Sequence, residues 1–423
     1  MATKSVILCD MEGVIESIND PAEKIFGYDK EELIGKKRVS IFSPGEIVLQ
    51  NVAHWLKEAR EKGEYITKTQ FVKKSGEAFS AKIRITPTYA NGKEAGQTGY
   101  CGVTEVIDED VNVPIKWTTK MIKGLAIMRM PFLSAVLVPA FVAGAFAYHY
   151  LGAGADFPWL NFSLTCLGVA LLHLASNVLN DYFDVKDGTD DANNAYFTQF
   201  TGGSRAIELG LIDLKGTRRL GYGLLIAATL VGLYLTWQSN LNTLYIGLAG
   251  AFLGYFYTAP PFRLVARKGL GELTIALAFG SLVTLGTVNV LIESLSWISF
   301  IIGIPMGLLT ANILLINEFP DASSDATTGK NHLVVTFGKK KSIGIYGAIL
   351  LLAVASYVWI FFLLGANNYL ILITALYTLV FGSSILGHVR KNYETRELVK
   401  SNVNTIILSA TSGLVFLLAL ILG

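Results

Sequence analysis

From about residue 130 to its end, the chain is a series of apolar runs of roughly 18–25 residues, each long enough to cross a ~30 Å hydrocarbon core. Lipid cannot satisfy an open backbone, and barrel strands would alternate in polarity rather than run solidly apolar, so the runs predict helices. Nine spans are expected, at about 130–151, 160–183, 219–237, 242–258, 272–292, 297–317, 342–363, 369–388 and 404–422. Beyond Pro131 there are 16 lysines and arginines, and all of them fall in alternate connections: Lys186 to Arg219, Arg263 to Lys268, Lys330 to Lys341, and Arg390 to Lys400. The connections near Gly152–Trp159, Gln238–Asn242, Glu293–Trp297 and Gly365–Asn368 have none. This segregation is the positive-inside pattern. It predicts a multi-pass protein of the cell (inner) membrane, with the amino terminus and the charged loops in the cytoplasm and the carboxyl terminus outside.

The 52% hydrophobic composition averages two unlike halves. Residues 1 to about 110 carry mixed charge and no long apolar run, which predicts a small soluble domain ahead of an all-α membrane domain. The amino-terminal stretch lacks an apolar core and a cleavage site, so no signal peptide is expected. Cys9, Cys101 and Cys166 have neither metal-type nor disulfide-framework spacing. Within the soluble half, VILCDMEGVIESIN alternates around Gly13 as a hairpin does. PAEKIFGYDKEELIG reads as short helices stopped at Gly27 and Gly35. KTQFVKKSGEAFSAKIRITPTY and GYCGVTEVID alternate again, with turns at Ser75-Gly76 and Asn91-Gly92.

Asp10, Gly13, Ile15, Asn19, Ala22, Phe26-Gly27-Tyr28, Glu32-Leu33 and Gly35 resemble the PAS family over residues 5–108. The resemblance implies an α+β domain, a five-stranded antiparallel sheet with short helices. Its pocket would hold a ligand or cofactor of unknown identity, or the domain would serve for homodimerisation. No cysteine stands in a flavin-adduct motif, and His54 in NVAHWLKEAREK is a haem-ligand candidate only in the weak sense that any lone histidine is. The expected division is a sensor-like domain at 1–108, a linker at 109–129 and the membrane domain at 130–423. In the linker, PIKWTTKMIKGLAIM mixes lysines with Trp117, Met121, Ile122 and Leu125, as an interfacial amphipathic helix does.

The second span ends in NDYFDVKDGTD, where Asn180 and Asp184 are four apart and share a helix face. Asp187, Asp190 and Asp191 follow. The sixth span ends in NEFPDASSD, where Asn317, Asp321 and Asp325 recur every four residues, with Pro320 expected to kink the turn. Acids at helix carboxyl ends oppose the helix dipole, and two such clusters on one side of the membrane ask for a counter-ion. Hard oxygen ligands in two groups suit Mg²⁺ together with a diphosphate.

NDYFD and NEFPDASSD resemble the two aspartate-rich motifs of the UbiA superfamily of intramembrane prenyltransferases. TGGSRAIELGLI and YTAPPFRLVARKGLGELTIALAFGSLVTLGT are similar, more narrowly, to the branch acting on 1,4-dihydroxy-2-naphthoate in menaquinone synthesis. The resemblance implies Mg²⁺-dependent transfer of a polyprenyl group from its diphosphate to an aromatic acceptor. Asp184, Asp190, Asp321 and Asp325 would hold the metal. The commonest first motif of the superfamily would place an acid at 188, where this chain has Gly188. The naphthoate-type spacing favours Asp190 over Asp187 as the further ligand. Asn180, Asn317, Arg205, Arg263 and Lys330 would bind the diphosphate, and Tyr255 and Tyr257 are candidates to face the allylic cation. His173, two turns before Asn180, either faces the site or packs as a buried polar group. Rival acceptors are a hydroxybenzoate, a chlorophyllide, a haem or an ether-lipid headgroup. Outside enzymes, a PAS receptor needs fewer spans, and a transporter places its acids nearer the midplane.

Overall fold

A computed structural model of the protein describes residues 4–90, 92, 94, 96–152, 156–187, 206–207 and 209–423. The chain divides into two compact units, one holding residues up to 127 together with the described residues of 206–213, the other holding the rest.

In the first unit, β1 (Lys4–Asp10), β2 (Ile15–Ile18), β3 (Tyr65–Val72), β4 (Ala78–Thr88) and β5 (Gly99–Val106) form one sheet of order β2-β1-β5-β4-β3. Every neighbouring pair is antiparallel. The side chains that carry the PAS resemblance do local work. Asp10 accepts from the Glu12 and Val14 amides at 2.8 and 2.9 Å, closing the β1–β2 hairpin. Asn19 caps α1 (Asp20–Phe26) by accepting from the Ala22 amide, and also accepts from the Val6 amide on β1, both at 3.0 Å. One core lies where Phe26 meets Phe42, Phe79 and Phe71 at centroid separations of 4.2, 5.6 and 5.8 Å. Helices α2 (Lys30–Leu33), α3 (Gly45–Ile47) and α4 (Ala53–Lys62) follow α1 in sequence. His54 is exposed on α4, whereas Trp55 and Ala59 are buried. Helix α5 (Trp117–Ile127) leaves Trp117, Met121, Ile122 and Leu125 exposed as an apolar stripe.

The second unit is helical: α6 (Ser134–Leu151), α7 (Trp159–Lys186), α8 (Leu214–Gln238), α9 (Leu241–Phe256), α10 (Leu270–Ile292), α11 (Ile304–Thr327, preceded by a helical turn at Trp297–Ile301), α12 (Leu333–Phe337), α13 (Lys339–Leu363), α14 (Leu370–Asn392) and α15 (Leu398–Leu422). Among the described residues, eight helices are long and apolar enough to cross a membrane. The ninth expected span, 242–258, is the shorter apolar helix α9. Helices α7, α8, α10, α11, α13, α14 and α15 run beyond the expected spans at their basic ends. Hydropathy marks only the part of a helix that fits in hydrocarbon, and the helix continues past it into water. This carries Asn317 to Asp325 onto one continuous helix, since α11 passes through Pro320 unbroken. At the opposite ends, next to the connections without lysine or arginine, Tyr150, Trp159, Trp237, Trp297 and Tyr369 stand exposed, Trp297 by 80% and Trp237 by 77%. Such a row belongs at a membrane–water boundary.

Backbones of α10 and α11 touch. A Cβ at Gly280 would lie 2.3 Å from the Gly303 carbonyl oxygen, and one at Gly307 would lie 2.0 Å from that of Ala276. Small residues let membrane helices approach in this way. Gly307→Val should therefore cost about 1–3 kcal/mol by overpacking, at the upper end because backbone cannot step aside. Gly344→Val on α13, with nothing within 4 Å, should cost little. Thermal unfolding of the two variants in detergent checks this, and equal midpoints would contradict the close-packing account.

Candidate active site

The last turns of α7 carry Asn180 and Asp184 on one face, and the Asn180 amide donates to Asp184 Oδ2 at 3.0 Å. The last turns of α11 carry Asn317, Glu318, Asp321 and Asp325. Asn402 on α15 donates to Asn317 Oδ1 at 2.7 Å and so fixes its carbonyl. The connection from α11 to α12 supplies two cations. Lys330 is buried with Nζ 2.7 Å from Asp184 Oδ1, and its amide donates to the Asp325 carbonyl at 2.9 Å. His332 is buried with Nε2 3.1 Å from Asp325 Oδ2 and Nδ1 3.2 Å from Glu318 Oε2. Glu272 on α10 anchors the start of α12 by accepting from the Leu333 amide at 2.8 Å. Partly buried Arg129 pairs with buried Asp181 on α7.

Asn180, Asp184, Asn317, Asp321, Asp325 and Lys330 line one cavity of about 220 Å³, with Arg129, Tyr257, Glu318 and His332 also on its wall. An apolar cavity of about 220 Å³ lies among α7, α8, α9 and α10. The two share His173, Ser176, Gly254, Ala278 and Phe279 as lining, so the polar chamber and the apolar one are neighbours. His173 Nε2 lies 3.1 Å from Asn177 Nδ2, and its ring meets Phe279 edge-on at 5.1 Å.

The other expected residues fall elsewhere. Asp187 and Arg263 form an ion pair at 3.1 Å and are not among the residues lining the chamber. Tyr255 shares a hydrogen bond with Tyr222 at 3.0 Å and is also off that lining, whereas Tyr257 is on it. Asp190 and Arg205 lie outside the described residues. Arg129, Glu318, His332 and Asn402 are not singled out by any sequence pattern. The only linear signal for His332 is its spacing, seven residues after Asp325.

No three His, Cys, Asp or Glu side chains among the described residues converge closely enough to enclose a bare ion. The donor set is nonetheless hard and anionic and is divided between two helices. That suits a divalent cation completing its shell with substrate oxygens and water. Lys330 and His332 hold the anionic charge of these carboxylates in compensation. Burial alone would lower the His332 pKa, but hydrogen bonds to Asp325 and Glu318 and their charges outweigh it and raise it to about 9.

The UbiA prenyltransferase family model matches residues 136–420, about two-thirds of the chain. The chain belongs to the UbiA prenyltransferase family. A PAS domain model matches residues 3–104, ahead of the UbiA domain. Over 231 residues the chain is 28% identical to the 1,4-dihydroxy-2-naphthoate octaprenyltransferase of Bacillus subtilis, covering 54% of this chain and 69% of that protein. It is 29% identical to the 2-carboxy-1,4-naphthoquinone phytyltransferase of Synechocystis, over 51% of this chain and 66% of that one. It is 30% identical to the Drosophila melanogaster UbiA prenyltransferase domain-containing protein 1 homolog, over 63% and 71%. The fold is shared with a UbiA homolog from Archaeoglobus fulgidus bound to DMAPP and Mg²⁺, at 17% identity and a TM-score of 0.50, covering 71% of this chain and 99% of that one.

His332 gives the UbiA domain a pH-dependent element of stability. Its raised pKa contributes fully below the ordinary value of 6.5 and is lost as pH rises through about 9. His332→Gln should lower the stability of the metal-free protein at pH 6 by about 1.5–3 kcal/mol, the range for a charge-assisted hydrogen bond. The gap to the parent should narrow above pH 9. Thermal unfolding in EDTA across pH 6–10 measures this, and a gap constant over that range would contradict it.

Proposed function

We propose that the UbiA domain transfers a polyprenyl group from polyprenyl diphosphate to 1,4-dihydroxy-2-naphthoate, with Mg²⁺ as the divalent cation and a demethylmenaquinone precursor as product. The observation that carries this reading is the polar chamber between two carboxylate-bearing helices, joined through a shared wall to an apolar cavity. A small, highly charged head on a long hydrocarbon tail is the ligand such a pair of spaces suits. The similarity to the Bacillus naphthoate enzyme supports the acceptor, and the Archaeoglobus homologue's bound DMAPP and Mg²⁺ support the donor and the metal. The aromatic row and the charge segregation support an orientation with the chamber towards the cytoplasm.

Asp184, Asp321 and Asp325 are the ligands proposed, with Asp190 the further one and Asp187, already engaged by Arg263, the weaker choice. When bound, the cation supplies Lewis-acid neutralisation of the diphosphate oxygens. Asn180 and Asn317 orient those oxygens. Lys330 is placed to exchange Asp184 for a phosphate oxygen, and Arg205 and Arg263 are the further cations proposed for the diphosphate, Arg263 by releasing Asp187. The bond between the prenyl C1 and the diphosphate oxygen breaks with its electron pair leaving on the diphosphate. The allylic cation then lies against the wall of Tyr257 and Phe279, where ring faces favour positive charge and water is scarce. A ring carbon of the acceptor forms the new bond and gives up its proton, the ring carboxylate leaves as carbon dioxide, and the electron pair it leaves on the ring takes up a proton.

The direct test supplies the purified protein with Mg²⁺, labelled polyprenyl diphosphate and dihydroxynaphthoate. Labelled prenylated naphthoquinol, read as the quinone after air oxidation of the extract, is expected, and its absence with a folded protein would sink the reading. Asp321→Ala and Asp325→Ala should each abolish transfer while leaving the protein folded and inserted; turnover surviving in both would remove the carboxylates from the mechanism. Asp190→Ala should be more harmful than Asp187→Ala, and the reverse order would assign the loop to another register. A protein lacking residues 1–108 should still catalyse, at a rate lowered by no more than about tenfold, because every proposed ligand lies beyond the cut. Complete loss, with the remainder folded, would place part of the chemistry in the PAS domain.

A further inference from the structure

The segment just before α8 belongs to the same compact unit as the PAS domain, although α6 and α7 lie between it and α5 in the sequence. Its described residues form a locked turn. The Leu211 amide donates to the Ala206 carbonyl at 2.8 Å and the Gly210 amide to the Ile207 carbonyl at 3.0 Å, with Gly210 left-handed at φ 65°. These paired bonds are those of a Schellman closure, in which the glycine position must be left-handed and the next residue makes an apolar contact. Here that residue is Leu211, which is only 3% exposed.

Its receptor is a cleft at the start of α3. A Cβ added to Gly45 would lie 2.3 Å from the Leu209 carbonyl oxygen, 2.6 Å from Leu211 Cδ2 and 3.0 Å from the Gly210 carbonyl carbon. Only a residue without a side chain lets the turn approach this far. The neighbouring surface holds α5: Lys123 forms an ion pair with Glu46, and Gln50 Oε1 accepts from Thr119 Oγ1 at 3.0 Å and from the Lys116 amide at 3.3 Å. Residues 45–50 thus hold two segments of their own chain, one ending just before the membrane unit begins and the other just before α8.

We propose that the Gly45–Gln50 surface of the PAS domain is a docking site for the Ala206–Asp213 segment of the same chain, and that this docking sets the rate of the UbiA domain. The partner is an internal peptide with a Schellman turn and one buried leucine. The domain's influence on catalysis then passes through a tether on the α7–α8 connection. The effect on rate rests on the prenyl-transfer reading; the docking does not.

Full-length protein in lipid nanodiscs tests both parts. Gly45→Val puts two methyl groups where the turn lies, and Leu211→Asp places a charge in the cleft. Amide hydrogen exchange at residues 209–213 should rise at least tenfold in Gly45→Val, with amides of the five-stranded sheet unchanged. In Leu211→Asp, exchange at residues 45–52 should rise comparably, which keeps the test intact if Gly45→Val unfolds the domain. Both variants should show the prenyl-transfer rate of the protein lacking residues 1–108. Unchanged exchange in the folded variants would overturn the docking. Raised exchange with the parent's rate would overturn the regulatory role. Absence of prenyl transfer in the parent itself would instead refute the proposed reaction, with the exchange result still deciding the docking.

Discussion

The membrane unit has to keep Asp184 and Asp325 buried at the carboxyl ends of two helices, where the helix dipole opposes negative charge, and Glu318 buried further along the second helix. Uncompensated charge in such a place costs several kcal/mol per ion. Lys330 and His332 provide the compensation, and both come from the short connection between α11 and α12. That connection is itself pinned, by the Lys330 amide on the Asp325 carbonyl and by Glu272 on the Leu333 amide. The same few residues therefore close the end of α11, neutralise it, and tie it to α7 through the Lys330–Asp184 contact. Removing one partner leaves a stranded buried charge.

The arrangement also explains why a site built of acids can stand ready without gathering them into a chelate. The carboxylates stay on separate walls, and Lys330 and His332 engage Asp184 and Asp325 separately, so mutual repulsion stays low in the ligand-free protein. In the proposed reaction, a diphosphate arriving with its cation would bring both signs at once. Lys330, now paired with Asp184, would be free to bind phosphate, and Asp184 would be among the residues holding the cation. Close packing of α10 on α11 through Gly280 and Gly307 keeps the α11 wall rigid. The apolar cavity is bounded by α7 to α10, so the proposed substrate's tail would have its own compartment beside the charged head.

What can be read in the sequence follows from physics that acts locally or periodically. Hydrocarbon thickness and the bias of lysine and arginine mark the helices and alternate their ends, and a spacing of four puts Asn180 and Asp184 on one face. The excess length of α7 and α11 beyond the apolar runs is not visible, because a helix leaving the lipid no longer needs apolar residues. Pro320 suggests a kink, yet α11 continues through it. Arg129, His332 and Asn402 are silent because their roles depend on neighbours 52, 7 and 85 residues away, across elements whose packing no local pattern encodes. Arg263 shows the converse: a correctly signed residue near the motifs that the fold pairs with Asp187. The PAS signature is legible through Asp10 and Asn19, whose turn and helix-cap bonds to Glu12, Val14 and Ala22 span two to four residues. The association of Leu211 with Gly45 joins distant parts of the chain and leaves no linear trace.

That last contact is of a size suited to control. Full burial of a leucine side chain contributes about 1.5–3 kcal/mol, and the turn is preformed by its own hydrogen bonds, so little further order is lost on docking. Covalent connection raises the effective concentration of the segment, which favours occupancy without any additional contact. Since about 1.4 kcal/mol is tenfold in an equilibrium constant, such a docking is occupied most of the time yet reversible by a perturbation of one or two contacts. A shift of α3 by a few tenths of an ångström would suffice, because the Gly45 cleft has no slack to absorb it. A tether of this strength transmits a change in the PAS domain without committing the membrane unit's own stability to it.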